Sequence, residues 1–336
     1  MLGAVALSAA ACGTGSATTP DGRALLRLGY FPNLTHGSAI LGVERGIYAE
    51  HLGADVALRT SRFNAGPEAV EALFASAVDA AFIGPSPAIN AHVQSGGEAI
   101  RVVAGATSGG AFLVVRPGID EPDGLRGATL SSPQLGNTQD VALRAWLADQ
   151  GLKTDTLGGG DVRVQPQPNA QILETFRAGD IDGAWVPEPW ASRLVQEGGG
   201  RVLVDEGDLW PGGRYVTTHL VVRAAYLREH RDVVRRLLEG HLAATDRTNE
   251  HPAEAKRAVD AALAELTGKA LAPAVLDAAW ANLTFTVDPI APSLRRGAAD
   301  AHALGLLRSS DLDGIYDLSL LNEVLRAQGR DEVADA

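Results

Sequence analysis

The sequence predicts an α/β protein of two lobes joined by a hinge, a clamshell in which each lobe is a mixed sheet flanked by helices. Three observations lead there. Strand-like and helix-like segments alternate from residue 26 onward, the pattern of sheets covered by helices on both faces. The 336 residues exceed what one hydrophobic core usually needs. Two segment pairs also repeat: VDAAFIGPSP (78–87) lies over IDGAWVPEPW (181–190), and AFLVVRP (111–117) over THLVVRA (218–224). The first pair implies that two lobes share a plan. The second falls where the chain would leave one lobe and return, so residues 26–112 plus 222–336 are expected to form one lobe and 117–217 the other. The hinge strands are then expected near 111–117 and 218–224.

Each element has a local reason. LLRLGYF (25–31) reads as a strand, and SAILGVERG (38–46) as a short helix with Ser38 suited to cap it and Gly46 to stop it. GPEAVEALFASAVD (66–79) is helical, with Pro67 in its first turn and Val70, Leu73, Phe74 and Ala77 on one face. AAFIG (80–84) and RVVAGA (101–106) are short strands around the helical PAINAHVQSG (87–96). A second cycle starts near Gly127: ATLSS (128–132) is a strand, 138–150 a helix closed by Gly151, VRVQP (162–166) a strand and NAQILETFRAG (169–179) a helix. GAWVP (183–187) and RVLVD (201–205) complete it. Helices follow over 226–244, 252–266 and 293–307. The last starts at Ser319, expected as its cap, and buries Leu320, Leu321, Val324 and Leu325.

Composition narrows the function classes. Hydrophobic residues are 46% and charged ones 21%, an ordinary globular balance. The net charge of -12, from 29 Lys plus Arg against 41 Asp plus Glu, argues against nucleic acid, whose backbone needs concentrated cationic surface. No run of about eighteen apolar residues is available to span a bilayer. The single cysteine, Cys12, follows the small and apolar LGAVALSAAA and precedes GTGSATTPDGR, a tether-like stretch. Residues 1–25 are read as an export signal, a lipid-anchor cysteine and a tether. No Lys or Arg precedes Cys12, so the natural start is expected upstream.

In open α/β sheets the usable crevice lies beyond the carboxyl ends of strands. Two corners per lobe qualify: GYFPNLTHGS and IGPSPA in the first, SSPQLGNTQD and VPEPWA in the second. They offer neutral donors and acceptors in Asn33, Thr35, His36, Ser86, Gln134, Asn137, Thr138 and Gln139, and apolar walls in Phe31 and Trp190. Helix starts leave backbone N–H groups unpaired and carry partial positive charge, so the Asn137 and Thr138 corner is expected to seat a small anion without a cationic side chain. Gly136 is expected to let the backbone approach the anion. Glu188 beside the crevice would repel an anion but attract an amine. Competing structural roles stand beside these: a helix cap for Asn137 or Thr138, a core histidine for His36, a core indole for Trp190. Asp79 and Asp182, just before strands, are read as turn or cap residues.

Enzyme motifs are absent from the sequence. It has no G-x-S-x-G, no H-E-x-x-H and no G-x-x-x-x-G-K-[ST]. LGGGD (157–161) leads into a strand rather than out of one. The eight histidines show no ligand spacing, so neither a metal nor a cofactor is expected.

GYFPNLTHGSAILGVERGIY (29–48), SSPQLGNTQDVALRAWL (131–147) and IDGAWVPEPWASRL (181–194) resemble the solute-binding proteins of bacterial ABC importers in the nitrate, aliphatic-sulfonate and taurine group. NEHPAEA (249–255) looks like that family's late helical region. The resemblance implies a two-lobed, type II periplasmic-binding-protein fold and delivery of a small solute to an ABC permease, which is the partner that hydrolyses ATP. Cys12 followed by Gly13 resembles the processing site of bacterial lipoproteins, which implies attachment at the cell envelope through lipidated Cys12; a monomer is expected. Sulfonate-binding members place small hydroxyl residues where this chain reads Gly136-Asn137-Thr138-Gln139, so those positions inherit the sulfonate-seat role, with Asn137 a departure. A zwitterionic or neutral solute, taurine-like or a pyrimidine precursor, is the alternative. Members tied to pyrimidine-precursor synthesis use a cysteine-rich segment that this chain lacks. An enzyme using His36, and a sensory or adhesive lipoprotein of the same fold, are the readings from other classes.

Overall fold

The computed structural model describes residues 18–335. Cys12, its expected processing site and residues 13–17 of the expected tether lie outside the described residues. Along the chain, strand β1 (Ala24–Tyr30) passes through a 3-10 turn (Leu34–His36) into α1 (Gly37–Glu44) and α2 (Ile47–Leu52). Then come β2 (Val56–Arg62), α3 (Gly66–Phe74), β3 (Ala80–Ile83), α4 (Pro85–Gln94) and β4 (Ile100–Gly109). The second cycle is β5 (Ala111–Val115), β6 (Thr129–Ser132), α5 (Thr138–Asp149), β7 (Arg163–Pro166), α6 (Asn169–Ala178), β8 (Gly183–Pro187), α7 (Trp190–Gln196) and β9 (Arg201–Asp205). Two 3-10 turns (Glu206–Leu209, Pro211–Gly213) lead to β10 (Val216–Arg223). The remainder is α8 (Ala224–Glu229), α9 (Arg231–Glu250), α10 (Pro252–Thr267), α11 (Pro273–Ala281), β11 (Leu283–Phe285), α12 (Ala291–Ala303) and α13 (Ser319–Ala327).

These strands form two sheets of one plan. The first has the order β11-β4-β10-β3-β1-β2, the second β9-β5-β8-β6-β7. In each, three parallel strands (β2-β1-β3, β7-β6-β8) are followed by an antiparallel one, β10 or β5. Covered by helices on both faces, the inner strands β3, β5 and β8 are fully buried and read as unbroken apolar runs. The repeated segments of the sequence are the equivalent strands of this plan. Val222, Leu220 and His219 pair with Ala80, Phe82 and Ile83, as Val115, Leu113 and Phe112 pair with Gly183, Trp185 and Val186. Asp79 and Asp182 recur for a backbone reason: their carboxylates accept from Arg27 N at 3.0 Å and Thr129 N at 2.7 Å. Their carbonyls accept from Arg223 N and Arg116 N, each at 2.9 Å. Each aspartate thus ties a parallel strand to its neighbours at the end away from the cleft.

That equivalence sets both expected hinge segments within the sheets. Segment 111–117 contains β5 and 218–224 contains most of β10, and both strands are hydrogen-bonded on both edges, β5 by β8 and β9, β10 by β3 and β4. The chain passes between sheets at Gly109 and Gly110 and again between β9 and β10. Both glycines have positive φ, 82° and 74°, which a side chain would oppose. By sheet membership, residues 111–112 go with the second lobe and 216–221 with the first.

Other local expectations shift too. Ser38 is buried inside α1, whose cap is His36, because the 3-10 turn starts the helix two residues earlier than expected. Phe74 is 44% exposed and Ala77 lies past the end of α3, so only Val70 and Leu73 of the expected face are buried. Leu318 caps α13, and the Ser319 hydroxyl bonds Asp317 instead, at 2.5 Å, while the four expected apolar residues are buried. Strand β2 and helix α11 had no expected counterpart. Val56–Arg62 alternates weakly because it is an edge strand with exposed residues.

Candidate functional site

The carboxyl ends of β1, β2 and β3 in one sheet and of β6, β7 and β8 in the other open on a single cleft of about 1150 Å³. Nine of the expected residues line it: Phe31, Asn33, Thr35 and His36 after β1, Gln134, Asn137, Thr138 and Gln139 after β6, and Trp190 after β8. Ser86 and Gly136 line a smaller neighbouring cavity of about 180 Å³. Glu188 lines neither.

The β6–α5 corner is built from its own short-range bonds. Asn137 caps α5, its side-chain oxygen accepting from Thr138 N at 2.9 Å. Asp140 N and Val141 N donate to Asn137 O, both at 3.0 Å, so Gln139 is left as the first-turn amide without a backbone or side-chain acceptor among the described residues. Under the turn, the buried Asp140 carboxylate accepts from Ser132 Oγ (2.7 Å), Gly136 N (2.9 Å) and Arg144 Nε (3.0 Å). Gly136 therefore does not offer its backbone to the cleft: its φ of 71° makes the turn, and its N–H is committed to Asp140. Arg144 is buried with Asp140 and stays behind the helix.

Across the cleft, the Asn33 side chain accepts from Thr35 N at 3.2 Å, leaving its amide NH2 for other partners. His36 stacks on Phe31 with centroids 4.5 Å apart, and its Nδ1 accepts from Phe31 N at 3.4 Å, so the ring proton sits on Nε2 as a donor. Burial holds the His36 pKa down at about 3, so the imidazole is neutral at ordinary pH. Trp190 carries the Arg193 guanidinium 4.8 Å from its ring centroid. That guanidinium is committed to Glu197 through bonds of 3.0 and 3.1 Å. Glu68 and Lys269 are the other charged residues of the lining.

Glu188 is corrected from ligand contact to internal bridge. It is 1% exposed, accepting from Ser192 N (3.0 Å) and Ser192 Oγ (2.9 Å) in the first turn of α7 and from Asn282 Nδ2 (2.7 Å) of the other lobe. Burial pushes its pKa up. Further contacts close the lobes on each other: Gln196 Nε2 to Ala274 O (3.1 Å), Arg214 to Asp288 (2.6 Å), and Val141 of α5 packed within a core of first-lobe residues. Ser86 N reaches the Thr138 hydroxyl across the cleft at 3.4 Å, a long contact.

Sequence reasoning missed Asn64 and Glu68 after β2, Gln167 and Asn169 after β7, and the 269–272 loop between α10 and α11. The rule of strand carboxyl ends finds the first four once β2 and β7 are counted as corners. Nothing local marks the last, which reaches the cleft from a distant part of the chain.

The sequence profile of the NMT1-like family matches residues 20–264. The taurine-binding periplasmic protein of Escherichia coli (strain K12) is 29% identical over 188 residues, 56% of each chain, so this chain spans about half the length of that curated relative. Among solved structures, the alkanesulfonate-binding protein SsuA from Xanthomonas axonopodis pv. citri, bound to MOPS, superposes with a TM-score of 0.70 at 20% identity, covering 86% of this chain and 96% of that one. The periplasmic nitrate-binding protein NrtA from Synechocystis PCC 6803 does so with a TM-score of 0.76 at 17% identity, covering 90% and 88%. The fold is the two-lobed α/β periplasmic-binding-protein fold of these neighbours.

Proposed function

We propose that this chain, which belongs to the NMT1-like family, is the extracytoplasmic solute-binding component of an ABC importer, capturing a small sulfonate-like anion between its lobes and delivering it to a permease. The observation that carries this reading is the meeting of two helix starts, α4 and α5, from opposite lobes at one cleft, with Thr138 reaching the Ser86 amide. Both helix starts carry partial positive charge, α5 adds the unpaired Gln139 N–H, and the nearby side chains add neutral donors in Asn33, Asn137 and His36. The head group is assigned to the Gln139 amide, the Thr138 hydroxyl and the Asn137 amide, and the tail to the space between Phe31 and Trp190. Relatives that bind taurine, alkanesulfonates and nitrate support a small anion. A taurine-like zwitterion is the second reading, favoured by the Glu68 carboxylate in the lining.

Capture follows from closure about Gly109, Gly110 and the 206–215 connector. A ligand held by both lobes favours the closed state only by its differential affinity for it. Attachment through a lipidated Cys12 would keep the protein beside its permease. In this reading the chain does no chemistry on its solute. The test is a thermal-shift screen against taurine, short alkanesulfonates, nitrate, bicarbonate, sulfate, phosphonates and pyrimidine precursors, followed by calorimetry. A true solute at a hundredfold excess over Kd adds about 2.7 kcal/mol of apparent stability. A response to a neutral pyrimidine with none to any anion overturns the substrate assignment.

A further inference from the structure

We infer that Gly84 is a closure-determining residue: it keeps the start of α4 bare so that Thr138 of the opposite lobe can come to rest on the Ser86 amide. This rests on the reading of the cleft as a site that closes around its solute. Gly84 caps α4 with φ -69° and ψ 161°, ordinary extended backbone that any residue adopts. The shared plan makes the same point, because the overlay of 78–87 on 181–190 puts Pro187, which has a side chain, where the first lobe has Gly84. Neither the backbone nor the plan calls for glycine here. The demand comes from the other lobe.

A Cβ built on Gly84 would lie 2.7 Å from Thr138 Oγ1, closer than such atoms approach, while Pro87 Cδ at 3.7 Å is an ordinary contact. Thr138 cannot retreat with its backbone, since it is the first residue of α5 and its N–H is bonded to Asn137 Oδ1 at 2.9 Å. Turning the hydroxyl aside would relieve the contact only by removing Oγ1 from Ser86 N. Because turning aside forfeits that contact, an alanine at 84 is expected to hold the lobes apart, which weakens a site whose halves lie on different lobes.

The experiment is a double-mutant cycle with Gly84→Ala and Thr138→Ala, read by calorimetry with taurine and 1-propanesulfonate as probes. Gly84→Ala is expected to weaken binding about tenfold in the wild-type background and less than about twofold in the Thr138→Ala background, a coupling of the size found between contacting residues. An equal loss in both backgrounds overturns the inference, since the added methyl would then act on the solute itself. A second readout needs no bound probe. With Cys12 replaced by serine, spin labels at Thr60 and Gln165, exposed positions on the edge strands β2 and β7, report the width of the mouth. Gly84→Ala is expected to lengthen that distance and the double variant to restore it. Distances unchanged in Gly84→Ala overturn the inference. If the wild-type protein binds neither these probes nor any other solute of the thermal-shift screen, the functional reading fails and the label distances alone judge Gly84.

Discussion

Replacing Glu206 by glutamine should change how stability depends on pH. Glu206 begins the connector that carries the chain from the second sheet back to the first, and it is 3% exposed. Its Oε2 accepts from Trp185 Nε1 at 2.8 Å. Around it stand Trp210 and Tyr215, stacked 5.8 Å apart, Asp205 beside it in the chain, and Arg296 of α12, whose guanidinium lies 4.7 Å from the Trp210 ring centroid. Burial dominates this setting and pushes the carboxyl from the ordinary 4.5 up to about 7, against the lowering by Trp185. Between those two values the unfolded chain has released its proton and the folded chain has kept it. Stability conferred at this position therefore falls as pH rises from about 4.5 to about 7, then levels off. At about 1.4 kcal/mol per pH unit of separation, the total is ~3 kcal/mol. Glutamine keeps the size and an acceptor for Trp185 but cannot ionise. Chemical denaturation of both proteins from pH 4 to pH 8 should show the wild type losing about that much relative to Glu206→Gln. Curves that stay parallel across the range would refute the argument, because they would mean that Glu206 ionises as easily in the folded protein as in the unfolded one.

Four further outcomes are expected. Removing the Asn137 and Thr138 side chains together should leave the fold intact and weaken solute binding by roughly 1.5 to 3 kcal/mol for each bond lost to a charged partner, measured by calorimetry. Glu188→Gln should not alter discrimination between taurine and 1-propanesulfonate, since both carboxylate oxygens are taken by Ser192 and Asn282. Glu188→Ala, by orphaning those donors, should destabilise by roughly 1 to 3 kcal/mol in a denaturant titration. His36 should show no titration step in its imidazole NMR signals above pH 4, because burial keeps it neutral down to about pH 3. Its contribution to stability is present above about 6.5 and is lost as pH falls toward about 3. A step near 6.5 would mean that the ring is solvated.

By itself the sequence determined the two-lobed α/β plan, because burial on both faces writes strands as apolar runs and repetition of the plan repeats VDAAFIG as IDGAWVP. It also marked nine residues that line the cleft, since strand carboxyl ends and helix starts are local features and Asn137 and Thr138 announce one. What only the tertiary structure decided is which groups at those corners remain available. Gly136 and Glu188 have the composition of site residues, yet a buried carboxylate four residues on takes the one's amide, and an asparagine 94 residues away takes the other's oxygen. AFLVVRP and THLVVRA look like crossings because they repeat, but the repeat marks equivalent strands bonded on both edges, and the chain first passes between the sheets at Gly109 and Gly110. The demand on Gly84 is invisible in its neighbours, for the atom that makes it is 54 positions away in sequence and 2.7 Å from where a Cβ on Gly84 would lie. Hydrogen-bond capacity is spent on whichever partner folding brings near, and a linear pattern records the groups but not that expenditure.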